Sequence, residues 1–226
     1  MNIAKMSMII FCAVIMFHFI ACSEGYAQTM RTGKTSGSTG TSRGVAKGDE
    51  GSKDGFHVKK FYAIDKNTYL KSPKYDPTQQ PSAGREKEWA QFSVVYDTTV
   101  EWMDALVFQY YVLSEKVVDG KKAYSLFKKT VKYGDIAKGR AHVSDVYLHP
   151  KALERYGKIV AAGFEASIDG KEVAKDSKIE GISLTGDWWT KIADKAQVTT
   201  RDGYLLDRSE SPFAMSNIDD SEFIKR

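Results

Sequence analysis

Residues 105–131 read ALVFQYYVLSEKVVDGKKAYSLFKKTV. Leu106, Phe108, Tyr110 and Val112 recur at period two, the spacing of a strand with one face buried. Ala105, Val107, Tyr111 and Leu113 make the other face apolar as well. Asp119-Gly120 then separates Val117-Val118 from Ala123-Tyr124, and an Asp-Gly pair supplies the left-handed backbone of a two-residue hairpin turn. A strand, a tight turn and a returning strand imply an antiparallel β fold. A strand that is apolar on both faces also needs cover on both. The C-terminal third can supply it, through Trp188, Trp189, Tyr204, Leu205, Leu206, Phe213 and Met215; a partner surface is the alternative.

The same alternation continues outward from this hairpin. It predicts strands over 56–63, 88–96, 105–118, 122–131, 140–148 and 158–168, and Asp169-Gly170 before Val173 marks a second hairpin. Residues 149–157 differ. Pro150 suits a first helical position, Ala152, Leu153 and Tyr156 share one helical face, and Gly157 suits a C-terminal stop. Strands at near-regular spacing with one short crossover helix argue for an all-β sandwich rather than alternating βαβ units. After Gly181 two readings stay open: Asp187 caps a short helix running to Ala196, or Trp188-Trp189-Thr190 forms a strand. Residues 207–217 read as a loop.

Toward the N-terminus, Lys5 precedes an apolar run over 6–21 and the polar Ser23, Glu24 and Gly25, the order of a secretory signal peptide. The run falls just short of a bilayer-spanning helix. Gly25-Tyr26-Ala27 offers a simple cleavage site after Ala27, giving a signal peptide over 1–27. Phe19-Ile20-Ala21-Cys22 instead resembles a lipobox, which would make Cys22 the lipidation site and the only link to a membrane. Residues 28–55 are rich in Gly, Ser, Thr and Lys and hold almost no large apolar side chain, the composition of a flexible tether. Residues 56–226 are then the folded domain. Both cysteines, Cys12 and Cys22, lie within or at the edge of the export signal, so that domain has no disulfide and depends on its core.

The net charge of +4 is modest and mixed in sign along the chain, without the basic aromatic stripe of a nucleic-acid binder. Gly40-Thr41-Ser42-Arg43-Gly44 has the letters of a hydrolase nucleophile elbow, but no strand precedes it. Gly33-Lys34-Thr35 resembles the end of a phosphate loop, yet Gln28 stands where its first glycine should be. His57, His142 and His149 are far apart and form no metal-ligand pattern. Asp219, Asp220 and Glu222 lack the alternating ligands of a calcium loop. Ser144, His142 and Asp145 cannot converge as a triad because adjacent strand residues face opposite ways. The expectation is a protein without catalytic residues, metal or cofactor. Large aromatics supply the candidate contacts instead: Trp188, Trp189, Tyr110 and Tyr111, for a ligand or a partner.

The cysteine-free strand series, the Asp119-Gly120 and Asp169-Gly170 hairpins, the helix at 150–156 and the Trp188-Trp189 tail together resemble the family of immunoglobulin-like secreted proteins encoded with pilus-associated genes in Akkermansia-type bacteria. The resemblance implies an immunoglobulin-like β-sandwich and a role in pili, surface attachment or host contact. Type IV pilins keep their apolar helix after processing. Here Glu24 and Gly25 follow the apolar run, and cleavage after Ala27 would discard it. An accessory surface role therefore fits better than self-assembly. The leading expectation is an exported, non-catalytic interaction module with protein partners at the envelope or pilus, located in the periplasm, at the outer membrane or outside the cell. The alternative is a carbohydrate-binding or carbohydrate-active protein that meets host glycans through exposed tryptophans.

Overall fold

The structure, a computed structural model, describes residues 53–73, 86–192, 197–216 and 222–225. The expected signal peptide, Cys22, nearly all of the tether, and Asp219 and Asp220 lie outside them. The strands are β1 (Phe56–Tyr62), β2 (Tyr69–Lys71), β3 (Glu88–Met103), β4 (Leu106–Val118), β5 (Lys121–Tyr133), β6 (Ile136–Leu148), β7 (Lys158–Ile168), β8 (Lys171–Ile179), β9 (Val198–Arg201), β10 (Leu205–Asp207) and β11 (Ile224–Lys225). Helix α1 spans Pro150–Tyr156 and helix α2 spans Trp188–Ile192.

Two sheets form an all-β sandwich. In the first, β3 is flanked by β1 and β2 on one side and by β6 on the other, with β10 beyond β6. In the second the order is β8-β7-β4-β5, and both β9 and β11 lie along the far edge of β5. The chain passes between the sheets after β3, again after β5, a third time through α1, a fourth time between β9 and β10, and back once more before β11. Both expected hairpins form: Asp119 and Gly120 take φ of 50° and 75°, and Asp169 and Gly170 take 50° and 77°. Positive φ at both central residues gives a turn whose twist matches that of the strands it joins.

The core lies between the sheets. Phe92, Val94 and Tyr96 of β3 face Leu106, Phe108, Tyr110 and Val112 of β4, with Phe164 of β7 and Ile136, Val146 and Leu148 of β6. Phe108 is the hub, its ring centroid 5.5 Å from Tyr96, 6.0 Å from Tyr110 and 6.0 Å from Phe164. Tyr110 brings a hydroxyl into this apolar layer and donates it to Ser144 Oγ at 2.7 Å, so the buried polar atom keeps a partner.

Both outer faces carry cover from the C-terminal third, which divides into three parts. Trp188, Trp189 and Ile192 of α2 pack over Leu113, Leu126, Val160 and Ala161 on the second sheet. Phe213 and Leu206 cover Trp89 and Tyr147 on the first. Leu205 and Tyr204 pack with the central core. Met215, expected as cover, is instead 68% exposed. The structure resolves the open choice at 187–190 in favour of a helix, which gives the domain a second short helix beyond the crossover helix expected from sequence. A strand there would turn Trp188 and Trp189 to opposite sides, whereas a helical turn sets both against the same sheet.

Helix α1 begins at His149, whose Nδ1 accepts the amide N–H of Lys151 at 3.1 Å. Only a neutral ring nitrogen can accept. Burial, reinforced by the Lys151 charge, holds the ring below its ordinary value of 6.5. With a depressed folded value, the contribution to stability is complete above the unfolded value and is lost as pH falls through the folded one. His149→Asn keeps a cap that does not titrate. It should therefore match the native melting temperature near about pH 7.5 and exceed it near about pH 5. A gap between the two proteins that stays constant with pH would exclude the cap as its source.

Candidate interaction surface

Three of the four aromatics expected as contacts are turned inward. Tyr110 is 1% exposed, Trp188 1% and Trp189 3%. Tyr111 is half-buried beneath Trp189, the two rings 5.2 Å apart and 8° from parallel. The Trp189 Nε1–H donates to Glu165 Oε1 at 2.8 Å, and the Tyr111 hydroxyl donates to Glu165 Oε2 at 3.1 Å. Burial, followed by the Glu165 charge, raises the Tyr111 phenol well above its ordinary value. The physical reason is the double-faced β4: an apolar outer face takes the nearest large rings of its own chain as cover, and those rings are then spent.

Among the described residues the most exposed aromatic on the sheets is Trp102, at 62%, ahead of Tyr69 of β2 at 42%. Even-numbered residues from Phe92 to Thr98 of β3 point into the core, so unbroken alternation would bury Trp102 too. The register shows why it does not. Thr98 pairs with Gly139 and Trp102 with Ala137, four steps along β3 against two along β6. This irregularity takes 99–101 off the regular ladder, and beyond it Met103 is buried while Trp102 faces solvent. Val100, 37% exposed, lies in the irregular stretch itself. Phe223, 63% exposed, lies at the same end, where its carbonyl accepts the Gly134 amide at 3.1 Å.

Between the sheets one flank is only partly closed. β9 covers β5 from Tyr124 to Phe127 and β11 covers Lys132 and Tyr133. Among the described residues, 128–131 of β5 and 136–145 of β6 have no strand on this side. A pocket of about 430 Å³ opens there, lined by Thr130, Val131 and Lys132 of β5, Asp207 and Glu210, and Ile224 and Lys225 of β11. Lys129 holds its inner wall, 3.1 Å from Asp207 and 2.5 Å from Glu210. Burial pushes the Asp207 carboxyl upward, but the Ser209 hydroxyl and Lys129 outweigh it and keep the group below its ordinary value. At the other end Glu222 pairs with His142 Nδ1, while His142 Nε2 lies 3.1 Å from Thr98 Oγ1. The C-terminal segment is thus held to β5 by main chain and to β6 by a side chain.

The polar residues weighed for chemistry fall in separate places. Ser144 faces the core against Tyr110, and His142 is held by Glu222. Asp145 faces the opposite side, accepting from Ser93 Oγ at 2.5 Å and Gln91 Nε2 at 3.0 Å. His149 caps α1, and His57 lies on β1. What this arrangement offers chemically is exposed strand edge, a charged slot and an aromatic end, the elements of macromolecular contact.

A model for a family of pilus-associated, Akkermansia-type proteins matches residues 58–226. Three chains of solved structures match, among them a crystal structure of a protein from Akkermansia muciniphila. That protein is 23% identical, with a TM-score of 0.62 over 76% of this chain and 93% of that chain, a likeness of fold. No curated protein matches.

Proposed function

Because the chain belongs to this family of pilus-associated, Akkermansia-type proteins, we propose that it is an exported, non-catalytic interaction module of the cell envelope, an immunoglobulin-like sandwich that contacts protein partners at the pilus or cell surface. The observation that carries this reading is the exposed end formed by Trp102, Val100 and Phe223, beside a flank with unpaired strand edge. Large apolar side chains held in water on a rigid sheet are what a partner surface buries first. In this reading residues 1–27 direct export and 28–55 set the reach of the domain, and cleavage at either site leaves the domain outside the cytoplasm.

The test is to shear native cells and follow the protein by immunoblot through surface, membrane and cytoplasmic fractions. It should appear with the sheared surface material, and the pair Trp102→Ser, Phe223→Ser, on side chains that pack on nothing in the core, should lower that recovery about tenfold while leaving the melting temperature unchanged. Recovery in the cytoplasm, or undiminished surface recovery of the double variant, would overturn the reading. A glycan-binding role has one feature in its favour, since the Trp102 ring is open to solvent and can stack on a sugar. Glycans that quench its fluorescence would move the function to that reading.

A further inference from the structure

Where α1 ends against the sandwich, Tyr156 and Tyr204 close over Phe127, with centroids 5.7 Å and 6.0 Å from its ring. Their own rings meet edge to face at 5.4 Å, and the Tyr156 hydroxyl donates to that of Tyr204 at 3.3 Å. Two guanidinium groups gather on this pair: Arg201 from β9, its Cζ 5.1 Å from the Tyr156 centroid, and Arg155 from the last turn of α1, at 5.4 Å. A third cation stands next to them, since Lys116 Nζ donates to the Arg155 carbonyl at 2.7 Å.

Among the described residues none of these three cations has a carboxylate partner, although an acid neighbours each of them in sequence; Asp202, beside Arg201, is exposed and makes no ion pair with either arginine. Glu154 is engaged by Lys87 at 2.9 Å, and Glu115 by Lys122 at 3.0 Å and the Tyr124 hydroxyl at 3.1 Å. Arg201 Nε is buried and has no hydrogen-bond partner among the described residues. Positive charges brought together repel unless something offsets them. A buried guanidinium donor left unpaired is equally unusual, because such a group normally finds an acceptor. Both anomalies disappear if one negatively charged acceptor sits between the two arginines.

We propose that Arg155 and Arg201, framed by Tyr156 and Tyr204, form a binding site for an oxyanion: a carboxylate, sulfate or phosphate group. Each guanidinium presents a planar fork of donors to such a group, and the Tyr156 ring, in contact with both, steadies the forks. The electrostatics agree with this geometry. The Tyr204 phenol is held below its ordinary value, first by the hydrogen bond from Tyr156 and then by the charges of Arg155 and Arg201, so the site already favours a negative oxygen at this spot. The site lies apart from Trp102 and stands or falls independently of the pilus reading.

The experiment is to titrate the purified protein, at constant ionic strength, with sodium sulfate, sodium phosphate and sodium glucuronate, following tyrosine absorbance and the melting temperature. Saturable binding of at least one probe is expected, with an upward shift in the alkaline titration of Tyr204 because a bound anion opposes a phenolate. Arg201→Gln and, separately, the more exposed Arg155→Gln should each weaken binding at least about tenfold. Saturation by the inorganic ions assigns the site to a free anion, and saturation by glucuronate alone assigns it to an acid carried on a sugar. Linear, non-saturating responses to all three probes, or equal binding by both folded arginine variants and the native protein, would overturn the proposal.

Discussion

Trp189→Ala should lower the free energy of unfolding by about 3–5 kcal/mol, the range for removing a large buried aromatic. The substitution strips the second sheet of a ring that is 3% exposed, leaves Tyr111 without its stacking partner, and removes the N–H that Glu165 accepts at 2.8 Å. Leu113 and Ala161, now covered, would face water. Trp189→Phe separates these contributions. It keeps a ring over Tyr111 and loses only the donor to a charged acceptor, worth about 1.5–3 kcal/mol. Urea unfolding should show the midpoint falling in the order native, Phe, Ala. In Trp189→Ala the Tyr111 phenol, raised now by burial, should titrate closer to its ordinary value of 10.0. A loss below about 1 kcal/mol for Trp189→Ala, within the scatter of surface substitutions, would mean that α2 is not a structural cover.

Gly163→Ala should be the second large effect, and it comes from the other side of the same contact. Gly163 pairs with Tyr111 across β7 and β4, and a Cβ at this position would stand 2.4 Å from Trp189 Cζ3 and 2.7 Å from Cε3. No heavy atoms approach so closely, so the indole must lift, and overpacking of this kind costs about 1–3 kcal/mol. The glycine is required here by the ring above it; its φ is not positive. The prediction is sharpest in combination. With Trp189 already cut to alanine the added methyl meets no ring, and replacing a strand glycine then gains about 0.5–1 kcal/mol. The two substitutions should therefore be strongly non-additive in a double-mutant cycle. Simple additivity would show that the indole does not rest on Gly163.

These two residues also mark where sequence reasoning stopped. Trp188 and Trp189 were legible as large apolar side chains near the C-terminus, and β4 as a strand that needed cover on both faces. That the first satisfied the second was a fair inference. That their rings are thereby withdrawn from ligand or partner contact was not legible, and neither was the clearance that Gly163 provides, within the unremarkable run Ala161-Ala162-Gly163-Phe164. Trp102 shows the reverse case. Alternation along β3 points it inward, and only the unequal pairing of β3 with β6 turns it out into solvent. The Arg155 and Arg201 pair has no signal in sequence at all, because α1 and β9 are brought together by packing around Phe127, Tyr156 and Tyr204.

By itself the sequence determined the features whose causes are local. The Asp-Gly turns at 119–120 and 169–170 arise from the backbone freedom of two residues, α1 from Pro150 and Gly157 at its ends, and β7 over 158–168 from an apolar run bounded by Gly157 and the Asp169-Gly170 turn. Strands at near-regular spacing with no long helix between them then point to an all-β sandwich rather than to βαβ units. Only the tertiary structure decided how the C-terminal third is shared among two outer faces and the core, which tryptophan meets water, and which edges of β5 and β6 stay open. Each of those outcomes depends on register and contact between strands far apart in sequence, where an irregular pairing changes which residues face the core and no local pattern records the change.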